Sequence, residues 1–161
     1  MNYFYDMQEI TLNDHNKQEF PPMHTVEHIL NQTMVRMFGC ERSKNAHIER
    51  KKSKCDYYLE AAPTVEQLQE IEQRVNEIVE QELDVTISYL SREALPEGID
   101  TSKLPENVSD TLRVVTIGDY DVCACIGAHV ENTREIGHFK ILSSDYVDGR
   151  LRLRFKLERE G

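Results

Sequence analysis

Two four-residue spacings, set apart by most of the chain, constrain its fold more than any other feature. His24 and His28 stand in His24-Thr25-Val26-Glu27-His28, and Cys125 and His129 in Cys125-Ile126-Gly127-Ala128-His129. Residues four apart on a helix share a face, so the first pair can offer two imidazoles to one metal ion. The second pair can complete a tetrahedral set of nitrogen and sulfur donors, which suits zinc better than calcium or magnesium. A chain that uses all four must bring a helix near its beginning against a segment near its end. Cys123 is the competing thiol. Strand alternation would put it on the same face as Cys125, but only Cys125 has the four-residue spacing to His129.

A chain of 161 residues is long enough for one domain, residues 1–161, with a sizeable core. Hydrophobic residues make up 39% and charged residues 30%, the balance of a globular rather than a disordered protein. No apolar run approaches the roughly 20 residues that a membrane helix needs. The opening Met1-Asn2-Tyr3-Phe4-Tyr5-Asp6 lacks a basic region followed by an apolar stretch, so no signal peptide is expected. The expectation is a cytoplasmic protein without membrane association. There Cys40, Cys55, Cys123 and Cys125 are reduced thiols or metal ligands rather than disulfides.

The net charge of −10 argues against a nucleic-acid coat held by general phosphate neutralisation. The charge is uneven, however. Acidic residues concentrate from Glu66 to Asp84, whereas Arg50, Lys51, Lys52 and Lys54 form a basic cluster and Arg150, Arg152, Arg154 and Lys156 a second basic row. Either could meet a phosphate backbone. Composition alone favours solvated faces.

The pattern along the chain predicts an amino-terminal strand and a polar linker over residues 1–22. A helix follows from near Met23 to Gly39, with Val26, Ile29, Leu30, Thr33 and Met37 at helical spacing. Ala46 to Arg50 and Cys55 to Glu60 read as short strands. Thr64 and Gln67 have capping-box spacing ahead of an apolar face of Val65, Leu68, Ile71, Val75, Ile78 and Val79. Val85 to Leu90 and Leu112 to Ile117 read as strands, and Pro96 to Pro105 as a loop. At the end, a strand from Phe139 turns at Asp148-Gly149 into one where Leu151, Leu153, Phe155 and Leu157 alternate with Arg150, Arg152, Arg154 and Lys156. These elements predict an α+β domain, a mainly antiparallel sheet packed with two or three helices.

The first motif also fits His-x-x-Glu-His, the inverted zinc-peptidase signature, in which the glutamate is a general base. S-ribosylhomocysteine lyase has a similar stretch. On that template Glu27 would act on substrate; otherwise it is a helix-surface carboxylate beside a ligand. Neither template accounts for the region from Cys125 to Gly137.

Leu112-Arg113-Val114-Val115-Thr116-Ile117-Gly118-Asp119 leads to Cys125-Ile126-Gly127-Ala128-His129-Val130, and then to Thr133-Arg134-Glu135-Ile136-Gly137-His138-Phe139-Lys140-Ile141. With His24 and His28, these stretches resemble the editing domain of alanyl-tRNA synthetase and its free-standing relatives, the AlaX proteins. The resemblance covers roughly His24 to Leu157, and the length is similar to that of the short, free-standing class. It implies an editing-domain-like fold, one zinc ion held by His24, His28, Cys125 and His129, and hydrolysis in trans of mischarged alanine tRNA to release serine or glycine. A zinc-associated water would be the attacking group. By position in the family, Asn45 would help read the serine hydroxyl, with His47 close by. Lys51, Lys52 and Lys54 are the candidates for the tRNA backbone. Ile126 and Ala128 differ from the synthetase form, and Arg134 replaces a glycine, which would be strained if that position needs positive φ. The rival expectations are another zinc enzyme using Glu27, or a non-catalytic zinc domain that binds tRNA.

Overall fold

The computed structural model describes residues 20–91, 93, 99 and 111–159, so the expected amino-terminal strand and most of the Pro96 to Pro105 loop lie outside the described residues. In chain order the elements are α1 (Pro21–Phe38), β1 (Asn45–His47), β2 (Ser53–Tyr58), α2 (Val65–Glu80), β3 (Val85–Ser91), β4 (Thr111–Ile117), β5 (Asp121–Ala124), a 3-10 turn (Thr133–Glu135), β6 (His138–Val147) and β7 (Arg150–Glu158). The class is α+β as expected, but the strands divide into two antiparallel sheets. One has the order β1-β2-β7-β6 and the other β3-β4-β5. Among the described residues no helix is long and apolar enough to cross a membrane.

The boundaries follow local chemistry. Helix α1 starts at Pro21, ahead of the apolar periodicity, because proline in the first turn gives up an N–H that has no helical partner. It ends at Gly39, whose φ of 68° lets its N–H return to the Val35 carbonyl. Strand β1 stops at His47 and β2 starts at Ser53, because the Ser53 hydroxyl bridges the Glu49 N–H and carbonyl and folds the basic segment into a turn. Helix α2 carries the expected capping box, with Thr64 and Gln67 exchanging bonds of 2.9 and 3.0 Å. Ile71, Val75 and Val79 are buried, whereas Val65 lies in the exposed first turn rather than on the packed face.

In the four-stranded sheet, Cys55, Tyr57, Leu151, Leu153 and Phe155 face inward and are fully buried or nearly so. Asp148 and Gly149, both at positive φ, turn β6 into β7 as the sequence indicates. Tyr57 donates to Asn31 Oδ1 at 2.6 Å, which sets α1 against this inner face. Helix α2 reaches the sheet by a different device. The buried Asn76 amide accepts from Phe139 N–H and donates to Phe139 carbonyl, both at 2.8 Å, standing in for a strand partner at the start of β6. Glu72 accepts from Ile141 N–H at 2.7 Å.

Removing the Asn76 amide would leave two buried backbone groups unpaired, each at a cost of about 1–3 kcal/mol. Asn76→Ala is therefore expected to lower unfolding stability by about 2–4 kcal/mol, measured by urea denaturation. A loss below about 0.5 kcal/mol would show that the mimicry of a strand partner is not what holds α2 in place.

Candidate metal centre

Helix α1 is buried on more than its apolar side. Met23, Val26, Ile29, Leu30 and Met34 are fully covered, and so are Thr25, Glu27, His28, Asn31 and Thr33. Polar side chains in that position must find partners. Thr33 donates to the Ile29 carbonyl at 2.8 Å and meets the Tyr120 hydroxyl at 2.7 Å. Asn31 accepts from Tyr57. Thr25 Oγ1 accepts from Val130 N–H at 3.2 Å and lies 3.0 Å from His129 Nδ1. The helix is thus stitched to the segment after β5 from its first turn onward.

This brings the two motifs together. One ligand atom from each of His24, His28, Cys125 and His129 lies within 4.8 Å of the others, a group that could hold a metal ion. The imidazoles of His24 and His129 stack with centroids 4.6 Å apart, and that of His28 stands edge-on to both. His24 Nε2 is 3.9 Å from Cys125 Sγ, which also accepts from Gly127 N–H. A carbonyl can only accept, so His24 Nδ1, 3.2 Å from the Ala128 carbonyl, carries the proton and leaves the Nε2 lone pair turned to the group. The Nε2 atoms of His28 and His129 are buried with no hydrogen-bond partner among the described residues. Buried nitrogens without partners are costly, and a shared metal ion would satisfy both at once.

The charge state is suitable. Burial raises the Cys125 thiol, but the imidazoles of His129, His24 and His28 outweigh it and draw the thiol down to about 2. Burial lowers His129 to about 4 against the pull of the Cys125 sulfur, so this imidazole is neutral at neutral pH. A thiolate with neutral imidazoles is the form that binds a divalent ion. Cys123 lies outside the group, and none of the four cysteines is in a disulfide.

Sequence reading missed Asp121, which sits at the start of β5 with its side chain fully buried. Arg42 grips both of its oxygens at 2.7 and 3.2 Å, Gln32 donates at 3.1 Å, and His28 Nδ1 is 3.7 Å away. Burial works to raise this carboxyl, yet His28 and Arg42 hold it below the ordinary aspartate value. At 3.7 Å His28 Nδ1 makes no hydrogen bond to Asp121, so the carboxylate acts on the ring by its charge, as a carboxylate behind a metal-ligating histidine would. Nothing in the local spacing marks Asp121 for this role, because Gln32, Arg42 and His28 reach it only through the fold.

The other singled-out residues fall elsewhere. Glu27 is fully buried, with its carboxylate 3.8 Å from His24 Nε2, so it is no helix-surface residue. Asn45 donates to Asp56 Oδ2 at 2.8 Å, and Arg152 clasps the same carboxylate, on the sheet's outer face. His47 lies on that face as well, exposed and paired with Glu49. The inner face is the one packed on α1, and Asn45 and His47 stand on the face opposite to it. Lys51 and Lys52 are exposed in the turn and Lys54 is half-buried on β2. Thr133 proves structural: its hydroxyl donates to the Val79 carbonyl and accepts from Leu83 N–H, closing the end of α2. Arg134 is in the 3-10 turn and not among the residues at positive φ, so it carries no strain of that kind. Gly137 does need glycine, because at φ 93° a Cβ would stand 2.8 Å from the Glu158 carbonyl.

The carboxylate behind His28 makes a measurable demand on metal affinity. Asp121→Asn is expected to weaken zinc binding by about 10–100-fold, read by competition with a chromophoric chelator. Unchanged affinity in a folded variant would limit Asp121 to tying β5 to α1.

Comparison with known proteins agrees with this arrangement. Residues 112–153 match the family described as "Threonyl and Alanyl tRNA synthetase second additional domain". An alanine–tRNA ligase of Thermoanaerobacter sp. (strain X514) is 37% identical over 131 residues, 80% of this chain and 15% of the ligase. One from Methanococcus maripaludis (strain C7) is 30% identical over 154 residues, 93% of this chain and 17% of the ligase. Another, from Pseudoalteromonas translucida, is 30% identical over 143 residues, 88% of this chain and 16% of the ligase. The chain therefore spans about a sixth of these relatives' length. The family match takes in the second motif with β4 and β5, the ligases align with most of the chain, and the chain is a homologue of the alanyl-tRNA synthetase editing domain.

Proposed function

We propose that this chain hydrolyses the ester of mischarged alanine tRNA, releasing serine or glycine, with a zinc ion held by His24, His28, Cys125 and His129. The observation that carries this reading is the convergence of both four-residue motifs on one buried point in a homologue of an editing domain. Three imidazoles and a thiolate form a donor set suited to zinc. When bound, zinc would supply a Lewis acid that polarises a carbonyl or lowers the pKa of an adjacent water. The protein's own residues do the rest. His24 keeps its proton on Nδ1 against the Ala128 carbonyl, Thr25 braces His129, and Asp121 backs His28. An aminoacyl ester is already activated, so positioning of ester and water is the main demand. The work would be done in the cytoplasm.

The tRNA would lie on a basic surface assembled by strand register. Lys54 on β2 pairs with Arg154 on β7, and Lys140 on β6 with Lys156 on β7. The two basic runs of the sequence thereby share one face; its arginines are paired with carboxylates, Arg152 with Asp56 and Arg150 and Arg154 with Asp145, which leaves Lys51, Lys52 and Lys54 as the candidates for phosphate. Arg50, in the turn beside this face, stands over the Phe20 ring, 4.4 Å from its centroid.

A second reading rests on Glu27, whose carboxylate is buried 3.8 Å from His24 Nε2 and which fits the His-x-x-Glu-His signature in sequence. One experiment separates the readings: deacylation of Ser-, Gly- and Ala-tRNA(Ala) by the purified, zinc-loaded protein beside Cys125→Ala and Glu27→Gln. Release of serine or glycine but not alanine is expected, lost in Cys125→Ala and retained in Glu27→Gln. Binding of tRNA with no release from any ester would leave a non-catalytic tRNA-binding domain. For the basic face, replacing Lys51, Lys52 and Lys54 together by alanine is expected to reduce the slope of log affinity against log salt by about 3, measured by fluorescence anisotropy on tRNA. An unchanged slope would remove these lysines from the contact.

A further inference from the structure

The small sheet brings an exposed aromatic ring into line with the metal centre. In the register of β3 and β4, Tyr89 faces Arg113. The β4–β5 ladder continues one step beyond β5, where Cys125 N–H donates to the Arg113 carbonyl at 3.0 Å. Tyr89, Arg113 and Cys125 therefore form one row across three strands, with their side chains on the same face. At about 4.8 Å per strand, the tyrosine stands about 10 Å from the cysteine that closes the metal group. The row crosses from covered to open: Cys125 is buried, Arg113 half-buried, and Tyr89 is 66% exposed. Arg113 donates from Nη1 to the carbonyls of Cys125 and Gly127 at 2.9 and 2.6 Å, so its side chain is drawn towards the metal-binding loop. Ile87, two residues before Tyr89 on the same face, is 39% exposed, and Ile126, next after Cys125, is 55% exposed. An apolar rim with an aromatic ring beside a guanidinium is the chemistry on which a nucleobase stacks.

We infer that Tyr89, with Arg113 beside it, is the platform for the terminal adenosine of the aminoacylated RNA. This deepens the proposed function and rests on it. In an aminoacyl-tRNA the ester and the terminal base are separated by one ribose, a span on the scale of the step from Cys125 to Tyr89. With the ester at the four donors, the base is carried out along the row to the exposed ring. Stacking accepts any base, so the platform supplies affinity and orientation rather than a choice of amino acid. Tyr89 is a binding residue that acts on the reaction through the position of the ester.

The test uses serine joined by an amide to 3′-amino-3′-deoxyadenosine, a stable analogue of the seryl-adenosine end. Serine amide without the nucleoside is the control. The chain contains no tryptophan, so a Tyr89→Trp variant carries a single indole reporter. Its emission is expected to be quenched by the nucleoside analogue and unaffected by serine amide. Tyr89→Ala should weaken binding of the analogue and raise KM for Ser-tRNA(Ala) by about tenfold to a hundredfold, with kcat less affected, and Tyr89→Phe should retain both. Because Tyr89 is exposed, its truncation leaves the core intact. Equal affinity of Tyr89→Ala and wild type for the analogue, or no quenching in Tyr89→Trp, would overturn the platform. The deacylase reading fails separately, by absence of hydrolysis in the wild type, and analogue binding still reports on Tyr89 in that case.

Discussion

A carboxylate with no exposed side-chain surface, Asp121, holds the two halves of this molecule in register. It sits at the first residue of β5, and its donors come from α1 (Gln32) and the loop just after α1 (Arg42), with His28 of α1 behind. Burying an ion pair is expensive, and the cost is offset only where geometry is good and the remaining lone pairs are satisfied. Here both oxygens are gripped by one guanidinium and a further amide donates to the first. Tyr120, the preceding residue, adds a hydroxyl contact to Thr33, and its carbonyl accepts from Arg36 at 3.1 Å. With β5 held against α1 in this way, the chain leaving β5 passes the first turns of the helix, where the histidines are.

The metal-binding group is a consequence of that docking and adds to it. Three imidazoles and a thiol packed together without a metal are poorly matched as neutral groups, and the thiol loses its proton readily among them. The negative sulfur and the unpartnered Nε2 atoms form a local excess of lone pairs that a divalent ion would neutralise. A bound metal ion and the docking of β5 on α1 would support each other, since each would hold the same residues in the same place. The stretch from Thr133 to Gly137 serves this arrangement at one remove. Thr133 closes the end of α2, and Gly137 lets β6 begin close under the carbonyl of Glu158.

Several features could be read before any fold was known because their chemistry is local. The capping box at Thr64, the Asp148-Gly149 turn and the alternation along β7 depend on neighbours within a few residues, and each appears where expected. Val65 departs from this, since helical periodicity describes a stripe without saying how far along the helix it is covered. Asn45 departs for a related reason. Its place after the first helix was legible, but which face of the sheet it occupies depends on pairing with β2, and that pairing hands its amide to Asp56.

The sequence by itself singled out the four residues that the fold brings together, His24, His28, Cys125 and His129. Two four-residue spacings of histidine and cysteine permit one nitrogen and sulfur site: the helical period puts His24 and His28 on one face, and the short irregular segment from Cys125 to His129 carries the other two. It also determined the capping box at Thr64, the stop at Gly39, the Asp148-Gly149 turn and the alternation of covered and open positions along β7. Only the tertiary structure decided which residues stand behind the donors, which face Asn45 and His47 occupy, and that two basic runs distant in the chain share one surface. Asp121 behind His28, Lys54 beside Arg154, and Tyr89 in line with Cys125 are all products of strand register and helix docking. Those are set by the packing of the whole core, and no local pattern of residues encodes them.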